Sequence, residues 1–131
     1  MHIHFVCRGN IYRSRLAEAY AKSLTQDEDV EVSSSGIEAD LAFSGDVNPY
    51  TRDLLVAESN DRHLKPSWTQ STQEHIDTAD VVVFMSPTVY EGANKFLEIP
   101  VDKARVWHIP DKNGIYPRIK EQVDILLKEV L

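Results

Sequence analysis

Apolar residues gather in four short runs separated by longer amphipathic stretches, and this spacing predicts the elements. His2–Val6 leads into Cys7, Val30–Ser34 is β-branched, Val81–Met85 is continuously apolar, and Arg105–Ile109 precedes Pro110. A continuous apolar run of that length suits a strand covered on both faces. Between the runs the period lengthens to that of a helix. Leu16, Tyr20 and Leu24 repeat at four-residue steps behind Ser14. Tyr50–Ser59 follows Asn48-Pro49, and Thr88–Leu97 follows Ser86-Pro87, both a capping residue and then proline. Ile119, Val123, Leu126, Leu127 and Val130 form one stripe of a final helix over Pro117–Val130. The resulting order β-α-β-α-β-α-β-α predicts an α/β fold: a parallel sheet with helices on both faces, joined by right-handed crossovers. In such folds ligands bind beyond the carboxyl ends of the strands. Cys7–Ser14 and Asp111 occupy two such ends.

At 131 residues the chain is expected to be one domain spanning 1–131. No apolar run approaches the ~20 residues of a membrane span, and MHIHFVCRGN lacks the charged and apolar regions of a signal peptide. One cysteine cannot form an internal disulfide, which points to a reducing, cytoplasmic setting. Fourteen Lys and Arg against twenty-one Asp and Glu give −7, arguing against nucleic acid or a membrane surface as partner. Ten of the acids lie between Asp27 and Asp61, where Arg52 is the only base, and they read as a solvated face. Around the cysteine the sign reverses: Arg8, Arg13 and Arg15 face Glu18 alone.

Cys7-Arg8-Gly9-Asn10-Ile11-Tyr12-Arg13-Ser14 reads as strand, loop, helix. A helix N-terminus presents unpaired N–H groups and a positive dipole end, and successive loop amides form an anion nest. Gly9 can take the positive φ such a loop needs, and Asn10 tolerates it. The Arg13 fork suits two phosphate oxygens. Cys7 then lies at the floor, near a dipole end and a guanidinium, surroundings that favour a thiolate nucleophile. Ser14 can donate to that sulfur. The plainer alternative is that Cys7 is a small buried hydrophobe at a strand end. His2 and His4 read as surface or edge residues, His75, His108, Trp68 and Trp107 as packing or surface residues. Arg15 reads as positive charge at the rim.

FVCRGNIYRSRLAEA resembles the active-site signature of the low-molecular-weight protein tyrosine phosphatase family through Val6, Cys7, Gly9, Asn10, Ile11, Arg13, Ser14, Ala17, Glu18 and Ala19. Weaker similarity continues through a Ser-rich turn at Ser33–Gly36, Ala79-Asp80 and Pro110-Asp111. The resemblance implies strand order 2-1-3-4 and hydrolysis through a phosphocysteine with no metal or cofactor. It makes Cys7 the nucleophile and Arg13 the phosphate clamp, with Arg8, Gly9, Asn10, Ile11, Tyr12 and Ser14 completing the phosphate loop. Ser34 becomes the serine supporting Asn10, and His63 a candidate brace. Asp111 becomes the general acid, worth ~10²–10⁴-fold for a leaving group such as phenolate. Its plainer role is to turn the loop of IPDKNG. Asp102, the rival acid, falls before the fourth strand, at the wrong end of the sheet.

The chain departs from the family at several positions. Asp111 is followed by Lys112-Asn113-Gly114 rather than proline and aromatics, and Tyr116 is offset from where a pocket wall would stand. Tyr12 replaces a second cysteine, and Arg15 a proline. Ile11 favours the tyrosine-directed branch over phosphoarginine phosphatases, which tend to have threonine there. The expected activity is therefore hydrolysis of protein phosphotyrosine, with phosphate or a similar oxyanion held in the loop. Three alternatives remain: a weakened anion-binding regulatory module, an arsenate reductase using an external thiol, and a phosphocysteine carrier domain.

Overall fold

The computed structural model describes residues 1–42 and 49–131. Asp46 and Asn48, read above as surface acid and helix cap, lie outside them. Four parallel strands, β1 (His2–Cys7), β2 (Glu31–Gly36), β3 (Val81–Phe84) and β4 (Ala104–Val106), form a sheet of order β2-β1-β3-β4. The expected order is thus observed. The helices are α1 (Arg13–Leu24), α2 (Ala39–Ala42), α3 (Pro49–Ala57), α4 (Gln73–Thr78), α5 (Pro87–Asn94) and α6 (Tyr116–Val130).

Strand alternation divides the core. Ile3, Phe5 and Cys7 of β1 join Val81 and Val83 of β3 under Leu16, Ala17, Ile119, Val123 and Leu126 of α1 and α6. Val6, Val82 and Phe84 point to the other face, under Ile76 of α4 and Val89 and Ala93 of α5. α1 and α6 therefore cover one face of the sheet, and α4 and α5 the other. Ser86 caps α5 by accepting from the Val89 N–H at 3.3 Å, ahead of Pro87, as the cap-then-proline pattern predicts.

Several expectations are corrected. His4 is not an edge residue: β1 lies inside the sheet, and His4 is fully buried. Its two ring nitrogens meet the hydroxyls of Ser33 (2.6 Å) and Ser35 (2.7 Å), and its ring stacks on His75. Ser33–Gly36 is strand, not turn, because its backbone continues the pairing with β1 as far as Cys7↔Gly36. The fourth strand ends at Val106, where ladder pairing with Phe84 stops, although the Ile109 N–H still reaches Met85 O at 2.9 Å. Helix α4 was not foreseen, since Ile76 is its only buried residue and leaves no apolar period to read.

Candidate active site

The loop from Cys7 to Arg13 leaves the carboxyl end of β1 and enters α1. No side chain caps α1, and its N-cap residue, Tyr12, has φ −141°. The first-turn N–H groups thus remain available to an anion. Asn10 holds φ +55°, the left-handed turn of the loop, while Gly9 does not take a positive φ. The freedom foreseen for Gly9 is supplied by Asn10, whose side chain offsets the strain with three hydrogen bonds. Its Oδ1 accepts the Thr69 N–H at 2.9 Å, which fixes the amide orientation because a backbone N–H can only donate. Its Nδ2 therefore donates to Ser14 Oγ (2.8 Å) and Ser34 Oγ (2.9 Å).

That orientation decides where the Ser14 proton goes. Having accepted from Asn10, the Ser14 hydroxyl is placed to donate to Cys7 Sγ at 2.8 Å. The Asn10 backbone N–H donates to the same sulfur at 3.2 Å. Two donors thus converge on one sulfur at the floor of the loop. The Ser34 hydroxyl in turn donates a hydrogen bond to Glu18, whose other oxygen accepts from Lys22 Nζ at 2.6 Å. A buried carboxylate thus anchors the support of Asn10.

Beneath the loop, one cation is buried and a second half-buried rather than displayed. Arg15 is 1% exposed, not at the rim, and donates to the carbonyls of Asn10 (3.4 Å) and Lys65. Lys65 Nζ donates to Ser34 O (2.6 Å) and Thr69 Oγ1 (2.9 Å). Burial pushes the Lys65 ammonium down to about 8, against the pull of Glu18 and Cys7. His63, the candidate brace, instead accepts from Arg62 at 3.2 Å and has no bond to Asn10. Thr69, Lys65 and Glu18 occupy the bracing positions. Glu18 lay within the signature, whereas Lys65 and Thr69 arrive from a distant loop with no local pattern to announce them.

Arg13 is 5% exposed and donates to Ile109 O at 2.9 Å, tying the loop to the segment after β4. The Asp111 carboxylate stands 3.9 Å from Arg13 Nε, with its side chain 65% exposed. Cys7, Arg8, Gly9, Ile11, Tyr12, Arg13 and Asp111 line one bowl of about 200 Å³. Thr51 of α3 steadies its wall by donating to Ile11 O at 2.9 Å. Arg8 lies at the rim, bonded to Glu38 at 2.7 Å. Beyond it a cleft of about 470 Å³ runs from Arg8, Glu38 and Asp111 towards Thr88 and Glu91 of α5 and Lys95 just after it. Every phosphate-loop residue named from the sequence, with Ser34 and Asp111, is therefore assembled in one place. Tyr116 is not: it is buried and donates to Glu58 at 2.6 Å, unable to wall the bowl. Among the described residues, no three His, Cys, Asp or Glu side chains group to hold a metal, and no helix is long and apolar enough to cross a membrane.

A search of curated proteins finds no match. Among solved structures, a low molecular weight protein tyrosine phosphatase from Bacillus subtilis is 26% identical, covering 99% of this chain and 97% of its own, at TM-score 0.82. A YwlE arginine phosphatase mutant with a phosphorylated active-site serine is 25% identical, covering 99% and 93%, at TM-score 0.73; another YwlE mutant structure gives Bacillus subtilis as the source. A thioredoxin-dependent arsenate reductase from Corynebacterium glutamicum is 21% identical over 98% of this chain and 60% of its own, at TM-score 0.73, and shares the fold. The family model of the low molecular weight phosphotyrosine protein phosphatases matches residues 2–125. With Cys7 at the floor of the loop that enters α1 and that match across nearly its whole length, the chain belongs to this family and is a cysteine-dependent phosphatase.

Proposed function

We propose that the chain hydrolyses phosphotyrosine in proteins through a phosphocysteine, acting as one 1–131 unit in the cytoplasm without a metal. The observation that carries this reading is the convergence of two donors on Cys7 Sγ beneath Arg13 and Asp111. The thiolate attacks phosphorus in line, forming the S–P bond as the ester P–O bond breaks. Arg13 and the loop amides hold the equatorial oxygens, where charge builds in the transition state. The departing phenolate takes a proton from Asp111. Asp111 then accepts a proton from the water that cleaves S–P, releasing inorganic phosphate and the thiolate. Ser34 and Asn10 keep the loop in its anion-binding shape throughout. The phosphorylated active-site serine of the YwlE mutant lends support to a covalent route of this kind. Ile11 on the bowl wall favours an aryl ester over a phosphoguanidine.

The test is hydrolysis of p-nitrophenyl phosphate in the presence of a chelator. We expect turnover inhibited by vanadate, abolished by Cys7→Ser, and slowed about 10²-fold by Asp111→Asn. Phosphotyrosine peptides should be cleaved faster than phosphoarginine peptides. The reverse preference overturns the tyrosine assignment, and phosphate binding without turnover favours the regulatory module.

A further inference from the structure

The segment after β4 bends through Asp111, Lys112, Asn113 and Gly114, all exposed, before Ile115 returns to the core. Gly114 holds φ +85°, a conformation that side chains rarely adopt, so the turn depends on it. Among the described residues the Asp111 carboxylate has no short anchor: 3.9 Å from Arg13 Nε is too long for a hydrogen bond. Its position must therefore be set by the backbone that carries it. Among the described residues, one side chain grips the backbone between Asp111 and Gly114: the Tyr12 hydroxyl donates to Lys112 O at 3.0 Å. The backbone of Ile115 also lies near that hydroxyl.

Tyr12 is well placed for such a role. It is 5% exposed, belongs to the phosphate loop itself, and rests against Tyr50 with ring centroids 6.0 Å apart. Burial, with Tyr50 and Asp111 nearby, raises its hydroxyl above the ordinary tyrosine range, so the proton needed for donation stays in place. A rigid aromatic thus joins the loop bearing the nucleophile to the loop bearing the acid.

We propose that Tyr12 is the positioning residue of the general acid, its hydroxyl strapping the 112–115 turn so that Asp111 faces the leaving oxygen. The inference rests on the phosphatase reading for its chemistry, but the strap itself is a statement about the turn. Loss of the strap lets the carboxyl wander, and an ester whose leaving group needs a proton suffers most. Phenol, with a pKa of about 10, needs that proton far more than p-nitrophenol does.

Tyr12→Phe removes the donor and keeps the ring. Two readouts separate the strap from the activity. Amide hydrogen exchange across 111–115 should quicken several-fold in Tyr12→Phe, while exchange in β1 and β3 stays as in the parent protein. In kcat/KM, which reports the step that expels the leaving group, phenyl phosphate should lose about tenfold more than p-nitrophenyl phosphate, part of the ~10²–10⁴ that a placed acid supplies. A merely structural defect lowers both esters equally. Equal losses, or unchanged exchange in the turn, overturn the proposal. Should the parent protein hydrolyse neither ester, the phosphatase reading fails, and exchange in the turn still decides whether Tyr12 holds it.

Discussion

Asn10 binds the two halves of the site through one side chain. Its backbone occupies the left-handed region, and its amide holds Ser14, Ser34 and the Thr69 N–H. Each buried hydrogen bond contributes about 1 kcal/mol net, and the left-handed conformation costs a residue with a Cβ about 1 kcal/mol. Asn10→Gly should therefore lose the bonds and escape the strain, whereas Asn10→Ala loses the bonds and keeps it. We expect urea unfolding to find Asn10→Ala less stable than Asn10→Gly by about 1 kcal/mol. Equal stabilities would mean that the loop relaxes out of the left-handed region once the amide is gone. At this scale the proposed nucleophile, clamp and loop brace were legible as one cluster because they are local: Cys7, Asn10, Arg13 and Ser14 lie within eight positions. Arg15 was misread because a base among bases suggests a surface, and only the folded chain brings the carbonyls of Asn10 and Lys65 over it.

The elements place that loop through one close approach. A Cβ on Gly36, the last residue of β2, would lie 2.7 Å from both Arg8 O and Asn10 N and 2.8 Å from Gly9 C. Those are backbone atoms of the phosphate loop, so relief must come from moving the loop rather than turning a side chain. The same strand end is pinned on its other side, where Gly36 N–H donates to Thr69 O at 2.9 Å. Gly36→Ala should thus displace the amides around the sulfur, and a shift near 1 Å in a catalytic geometry costs about 10²-fold. The measurement is kcat/KM for p-nitrophenyl phosphate beside the vanadate inhibition constant, and both should worsen. Parent-like values in a folded variant would show that β2 does not set the loop. β1, β3, α1 and α6 were readable from period alone, because each buries a contiguous apolar run or stripe. The role of Gly36 was not, since a glycine ending a serine-rich stretch looks like a turn until its neighbour across the sheet is known.

Stability of the whole molecule joins three distant segments at His4, which sits among Ser33 and Ser35 of β2, His2 of its own strand and His75 of α4. A neutral imidazole offers one donor and one acceptor to those hydroxyls, and among the described residues no carboxylate meets a second proton on the buried ring. Burial foremost, then the nearby charges of His75, His2 and Lys65, holds His4 well below the usual histidine value. His75, whose Nδ1 accepts the Thr72 N–H at 3.0 Å, is lowered as well, chiefly by burial. In the unfolded chain both rings titrate near 6.5. The native state therefore binds fewer protons than the unfolded state below that value, and stability is full above about pH 6.5 and falls as the solution is acidified towards the folded values. Each such histidine contributes a slope of up to about 1.4 kcal/mol per pH unit across that window. His4→Asn keeps polar contact with the serines and cannot titrate there. Urea unfolding at pH 7.5, 6.5 and 5.5 should find it weaker than the parent at the highest pH yet with a shallower decline on acidification. His75→Gln, at the half-buried partner, should flatten the decline in the same sense at smaller cost. Parallel declines in all three proteins would place the acid sensitivity in the carboxylates and remove the histidine stack as its source.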